Sequence, residues 1–160
     1  MSRNWDVSSD RIAGTELRDV RNIVTGNGIT TELFRQDWGV VDAEVVQIIH
    51  VSLRPGALSA WHKHERQTDH IFVVGGHLRT ALYDGREDSP TYQMVNVHHQ
   101  SRERPFLLIL PPGVWHGLQV LGNETASFVN FFDHQYRYDD PDEWRLPSDT
   151  DEIPYRFPAV

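Results

Sequence analysis

The chain of 160 residues is long enough for one substantial core, and its 39% hydrophobic and 24% charged content argues against disorder. Asp and Glu outnumber Lys and Arg by 23 to 15, a formal net charge of −8, which excludes a broad nucleic-acid or anionic-membrane surface. The absence of cysteine excludes disulfide scaffolds, thiol nucleophiles and thiolate metal sites.

Only Lys63 is a lysine, so the other basic residues are arginines and a local anion pocket stays open. The opening MSRNWDVSSDR lacks the apolar run of a secretory signal, and no stretch has the length of a membrane span. A single domain over 1–160, in the cytoplasm, is the expectation.

Met1–Asp10 is polar, with Trp5 as its one anchor, and Ile12–Thr25 scatters its apolar positions without a clear element. Asn27-Gly28 signals a turn, Ile29–Phe34 a short strand and Gln36–Gly39 a loop. Val40–Leu53 is rich in β-branched residues and reads as one strand, or as two with a bend at Asp42 or Ala43. After the turn Arg54-Pro55-Gly56 comes a hairpin over Ser59–Gly76, its return strand Ile71–Val74 and its closing turn Gly75-Gly76. Leu78–Tyr83 is a strand, Asp84–Pro90 a solvent loop, Tyr92–Val97 a strand and His98–Arg104 polar and exposed. Phe106–Leu110 reads as a buried strand, Pro111-Pro112-Gly113 as a turn, and Leu118–Leu121 and Ala126–Phe132 as strands. An aromatic and acidic tail fills Asp133–Val160, the only place where a helix is entertained. Short strands spaced by Gly/Pro turns predict an all-β sandwich or barrel.

Side chains on a strand alternate faces, so His62 with His64, and Gln67 with Asp69, can point into one cavity. His116 follows a Pro/Gly turn onto another strand. Three imidazoles, with Asp69 or Gln67 as oxygen donor, suit one divalent ion, and the set does not choose among Zn, Fe, Ni, Co and Mn. The same residues also suit proton transfer. A buried histidine oriented by a carboxylate removes a proton from carbon beside a carbonyl, and His62 is the base on this reading, with Asp69, Asp133 or Asp149 as its partner. The plainer alternative is that His62 and His116 only hydrogen-bond within a polar cavity. Trp61, Trp115 and Phe131 read as core or cavity wall, and Tyr136 and Tyr138 as mouth residues or a proton donor. His50, His77, His98 and His99 read as structural or surface groups. Arg79, Arg86 and Arg102 read as solvated charges before a phosphate clamp, and Asp139–Glu143 as a solvated turn or cap.

These residues resemble the cupin superfamily. Its first pattern reads here Gly56, ALSAW, His62-Lys63-His64, ERQT, Asp69 and then Gly76, and its second, PxGxxH, reads Pro111-Pro112-Gly113-Val114-Trp115-His116, with Val120 where an asparagine is frequent. Within the superfamily, Ser59 to Phe132 is similar to the dTDP-4-dehydrorhamnose 3,5-epimerase family. The likeness lies in HxxxxQ, in LRTALYDGREDSPTY and in PPGVWHGLQVL, and the ending DEIPYRFP is similar as well. The resemblance implies a cupin double-stranded β-helix, or jelly-roll barrel. It also implies His62 as the base of a His–Asp dyad, His116 in the substrate pocket, a nucleotide-linked 4-keto sugar, no metal, and a dimer with exchanged strands.

Three positions depart from that family. Its arginine before the base is Ser59, its return-strand lysine aligns with Asp69, and its tyrosine acid falls near Asn130. Losing both cations removes stabilisation of an enolate. One divalent metal on His62, His64, Asp69 and His116 would replace it as a Lewis acid, with Tyr136 as acid. The expected function is an isomerase or epimerase acting beside the carbonyl of a nucleotide-linked keto sugar or similar small polar substrate, with His62, His116 and Tyr136 in the chemistry. The alternatives are a metal-dependent oxygenase or lyase and a non-catalytic small-molecule binder. The expected cofactor is none or one divalent ion, and the expected partners are a small-molecule substrate and a second copy of the chain, with no nucleic acid and no membrane.

Overall fold

The structure, a computed structural model, describes residues 10–39 and 44–159. Trp5, the start of the predicted strand at Val40 and its bend at Asp42 or Ala43 lie outside the described residues. The strands in chain order are β1 Glu16–Asp19, β2 Asn22–Thr25, β3 Gly28–Thr31, β4 Gln47–Leu53, β5 Leu58–Lys63 and β6 Asp69–Gly75. They continue as β7 His77–Asp84, β8 Val95–Ser101, β9 Phe106–Leu110, β10 Val114–Leu121, β11 Ala126–Phe132 and β12 Trp144–Arg145. Among the described residues there is a single 3-10 turn, Gln36–Trp38, no α-helix in the tail, and no helix long and apolar enough to cross a membrane.

Two five-stranded antiparallel sheets, ordered β1-β9-β6-β11-β4 and β12-β5-β10-β7-β8, face one another as a jelly-roll barrel. Ile71, Val73, Leu78, Leu108, Leu118 and Val120 meet between them as the main core. Each sheet is covered on its outer face too. Phe72, Leu107 and Phe131 lie under Phe34 and Trp38, and Trp61 and Ala81 lie under Ile153, Tyr155 and Phe157 of the tail. Strands buried on both faces lose the apolar-polar alternation, which is why FLLIL of β9 reads as a continuous apolar run. Strand β4 keeps the alternation, with Ile49, Val51 and Leu53 inward and Ile48 exposed.

Several boundaries differ from expectation. The Ile12–Thr25 segment forms β1, an edge strand whose backbone pairing with β9 needs no apolar pattern, and half of a hairpin, β2–β3, that turns at Gly26-Asn27. Asp84–Pro90 is not a solvent loop around Asp84, which is fully buried and accepts bonds from Arg86 Nε at 2.7 Å and from Ser89 Oγ and Thr91 Oγ1 at 2.6 Å each. Burial pushes the Asp84 carboxyl up, and these donors more than offset it, holding the group below the usual carboxylate range. That network consumes residues 86–94 in turns, so the next strand starts at Val95 and runs through the histidines. The supposedly exposed His98–Arg104 therefore carries Gln100 into the interior, where its Oε1 accepts from Thr80 Oγ1 at 2.7 Å.

Gly76 closes the β6–β7 turn at φ +67°, and a Cβ there would stand 2.6 Å from Thr125 O and 2.7 Å from Ala126 Cα. Gly76→Ala combines left-handed strain with a clash against backbone and is expected to cost roughly 2–4 kcal/mol. Urea unfolding should show a lower midpoint with an unchanged slope; a loss below about 0.5 kcal/mol would contradict the close approach.

Candidate active site

Strand β5 brings His62 and His64 into the space between the sheets while Trp61 turns the other way, into the cluster with Tyr155 and Phe157. Strand β10 runs antiparallel beside it with His116 opposite His62, so the two rings stand 3.9 Å apart between centroids. Gly113, at φ +82° in the turn before β10, donates its N–H to the His64 carbonyl at 2.6 Å. The two histidine-bearing segments are thus joined through the backbone.

Strand β6 supplies Asp69 from the opposite sheet. Its Oδ1 accepts from Gln67 Nε2 at 2.7 Å and from Asn130 Nδ2 at 3.0 Å. Its Oδ2 lies 3.1 Å from His116 Nε2 and 3.6 Å from His64 Nε2, the His116 contact lying off the hydrogen-bonding direction. The distal nitrogens of both rings are fixed by main chain. His116 Nδ1–H donates to the Val114 carbonyl at 3.2 Å and His64 Nδ1–H donates to the Asp142 carbonyl. A carbonyl only accepts, so in the neutral rings each Nε2 keeps its lone pair on the Asp69 side.

Burial pushes the Asp69 carboxyl up, but His116 and then the charges of His64 and His62 outweigh it and hold the group below the usual range. Burial, helped by the charge of His116, pushes the His62 imidazole well below its ordinary value, and its Nδ1 is buried without a hydrogen-bond partner. His62 is therefore neutral at working pH. Asp69 turns to His116 and His64, Asp133 is occupied by the Thr68 N–H at 2.9 Å and by His134, and Asp149 is exposed. None of the three expected carboxylates is hydrogen-bonded to His62.

The cavity around these groups measures about 400 Å³, within the range of small-molecule sites. Its deep end is apolar, with Leu53, Ile71, Leu118 and Phe128 among the walls, and Tyr136 and Tyr138 stand at the rim with ring centroids 5.1 Å apart. Trp61 and Trp115 stand outside the lining, as do Arg79, Arg86 and Arg102. The chain also places here Glu143, which was expected in a solvated turn or cap, and Arg145, which sequence reading passed over. Arg145 lies on β12, which is two residues long and carries no periodic signal, and Glu143 directly precedes it.

Asp142 was expected in a solvated turn or cap, and it is not a solvated turn residue. Instead its carboxylate accepts the consecutive N–H groups of Glu65, Arg66 and Gln67 at 2.9–3.1 Å, clamping the loop between His64 and Asp69. Burial pushes this carboxyl up, while the three main-chain donors and His64 hold it below its ordinary value.

A family model described as dTDP-4-dehydrorhamnose 3,5-epimerase matches residues 11–155. A probable low-salt glycan biosynthesis epimerase of Haloferax volcanii is 34% identical over 139 residues, covering 86% of this chain and 89% of that protein. A spore coat polysaccharide biosynthesis protein of Bacillus subtilis is 34% identical over 146 residues, covering 91% and 96%. The crystal structure of a dTDP sugar isomerase from Desulfovibrio desulfuricans superposes with a TM-score of 0.84 at 29% identity, covering 90% of each chain.

The Asp142 clamp makes a pH-dependent prediction. Asp142→Asn is expected to cost about 1–2 kcal/mol at pH 7 by weakening charge-assisted bonds. Because the folded pKa lies below the unfolded value of about 3.9, the carboxylate's contribution is complete above that value and fades as pH falls through the folded pKa. Thermal melts should show a constant gap between wild type and variant from neutral pH to about 5, closing toward pH 3. A gap of the same size at every pH would refute the assignment.

Proposed function

The chain belongs to the dTDP-4-dehydrorhamnose 3,5-epimerase family, and we propose that it inverts a carbon beside the ketone of a nucleotide-linked 4-keto sugar. The observation that supports this reading is the convergence of His62, His64 and His116 on buried Asp69 inside a cavity that opens between the sheets. Removal of a proton from the carbon next to a ketone leaves its electron pair in an enolate, and return of a proton to the opposite face gives the epimer with no net redox change. His62 takes the proton: it is neutral, buried and free of a hydrogen-bond partner at Nδ1. A ketone oxygen only accepts, so His116, whose Nδ1–H is held by the Val114 carbonyl, orients the ketone through a proton that its Nε2 shares with Asp69, and Tyr136 at the rim returns the proton. The same reading extends to a homodimer in the cytoplasm. Ile48, exposed on the edge strand β4, is an apolar group that a second copy would cover.

The test is solvent exchange in deuterium oxide with a dTDP-linked 4-keto-6-deoxy sugar. Wild type should incorporate deuterium beside the ketone, and His62→Asn should slow incorporation by about 10²–10⁴. A folded wild-type protein that exchanges no deuterium would overturn the reading.

A second reading of the same place, in which His62 is a ligand and no longer the base, is a divalent ion. Ring nitrogens of His62, His64 and His116 lie within 4.8 Å of one another, two of the rings have main-chain carbonyls behind them, and Asp69 Oδ2 faces the group. Neutral imidazoles backed by main-chain carbonyls, together with a buried carboxylate, are a donor set for Zn, Fe, Mn, Co or Ni. Held by these residues, such an ion would supply Lewis acidity toward the substrate carbonyl. Elemental analysis of protein purified without chelator should find close to one ion per chain, falling about tenfold or more in His64→Ala. Full exchange activity in protein shown to be metal-free would count against this part of the reading.

A further inference from the structure

The cavity poses an electrostatic problem for a nucleotide-linked substrate. Its interior holds the Asp69 carboxylate, its rim holds Glu143, and the whole chain carries a net charge of −8. A diphosphate entering it meets repulsion unless a cation waits at the mouth. Among the described residues lining the cavity, Arg145 is the sole arginine or lysine. The neighbouring groove holds Arg66 and Arg137, but Asp133, Asp140 and Asp142 share it, and Asp140 lies 3.8 Å from Arg66 and 3.6 Å from Arg137. Those arginines line the groove beside the cavity and not the cavity itself.

The fold delivers Arg145 with some care. Asp142 clamps the start of the segment, and at its end Trp61 and Leu146 exchange both backbone bonds at 2.9 and 3.0 Å. Between these anchors β12 pairs Arg145 directly opposite His62. Strand alternation sends Glu143 and Arg145 to the cavity and Trp144 away, over the Lys63 ammonium at 5.8 Å. The guanidinium is 61% exposed, and its Nη2 donates to Glu143 Oε1 at 2.6 Å. An ion pair this exposed is worth little and is readily exchanged for a doubly charged ligand.

We propose that Arg145 is the anion-binding group of this site, leaving Glu143 to fork onto the diphosphate of the substrate, with Glu143 as its counter-ion in the empty cavity. The inference rests on the nucleotide-linked reading of the substrate. It also gives the chain, from a strand after the barrel, one of the cations that the Ser59 and Asp69 positions lack.

Calorimetric titration of the full-length protein with dTDP at low salt tests it. Arg145→Gln should weaken binding about tenfold or more, and Arg145→Lys, which keeps charge but loses the fork, should fall between. Glu143→Gln should act in the opposite direction, tightening binding about two- to fivefold by freeing the guanidinium. Binding to wild type that changes less than about twofold in both Arg145→Gln and Glu143→Gln would overturn the role of Arg145 and leave the nucleotide-linked reading standing. Equal weakening in both variants would assign the effect to damage of the strap and would also overturn it. No binding of dTDP to wild type would overturn the inference and the nucleotide-linked reading together.

Discussion

Asp69 places a carboxylate between two sheets, where the idealised cost of taking such a charge out of water is of order 20 kcal/mol and the relaxed cost still several. Everything near it is arranged against that cost. Gln67 and Asn130 turn their amides to Oδ1, and His116 and His64 stand at Oδ2, where they add to this only with a proton or another cation between. Asn130 does a second job, accepting the His70 N–H at 2.8 Å and so tying β11 to β6 at the level of the carboxylate. The polar centre and the strand register are therefore the same construction. Moving either strand by one residue would turn these side chains to the outer face and strand the charge.

The histidines depend on this centre through backbone as much as through side chain. Register sets His116 against His62, and the Gly113 bond to the His64 carbonyl fixes the turn that launches β10. The Asp142 main chain and side chain then seize the other end, one holding the His64 ring and the other the loop beyond it. A tail that looks like trailing acidic sequence is thus a strap across the site. It also covers the outer face of the second sheet through Ile153, Tyr155 and Phe157. Site geometry and tail docking are coupled, and neither is expected to survive loss of the other.

The parts of this arrangement visible in the sequence are those with short-range signatures. Parity placed His62 and His64 on one face and paired Gln67 with Asp69, while an apolar run gave Phe106–Leu110, and the alternation of aromatic and polar groups gave Ala126–Phe132, their observed limits. Spacing around the Pro/Gly turn marked His116, and the jelly roll followed from the resemblance that these motifs carry. What stayed hidden was held by partners distant in sequence. β1 exists because β9 offers it an edge, Asp84 is buried because Arg86, Ser89 and Thr91 fold back onto it, and Gln100 points inward because Thr80 receives it. Asp142 meets its loop across roughly half the chain, and nothing in DDPDE distinguishes it from its neighbours. Arg145 is legible only once β12 is known to lie beside His62.

The exchange of a lysine for Asp69 does more than delete a positive charge. A carboxylate fixed by two amides cannot itself stabilise an enolate, and by simple Coulomb reasoning it opposes one. Surrounded by imidazoles whose lone pairs face it, however, the same carboxylate becomes part of a set that attracts cations. Two kinds fit. A proton held between Asp69 and His116 would give an imidazolium beside the substrate, and a divalent ion on the three rings would give a Lewis acid there. On either version of the proposed reading, the positive charge absent from the covalent chain at Ser59 and Asp69 is one that the site is built to acquire, with Arg145 adding a permanent cation at the mouth. The substitution that looks least compatible with family chemistry then becomes the reason why so many histidines stand around it.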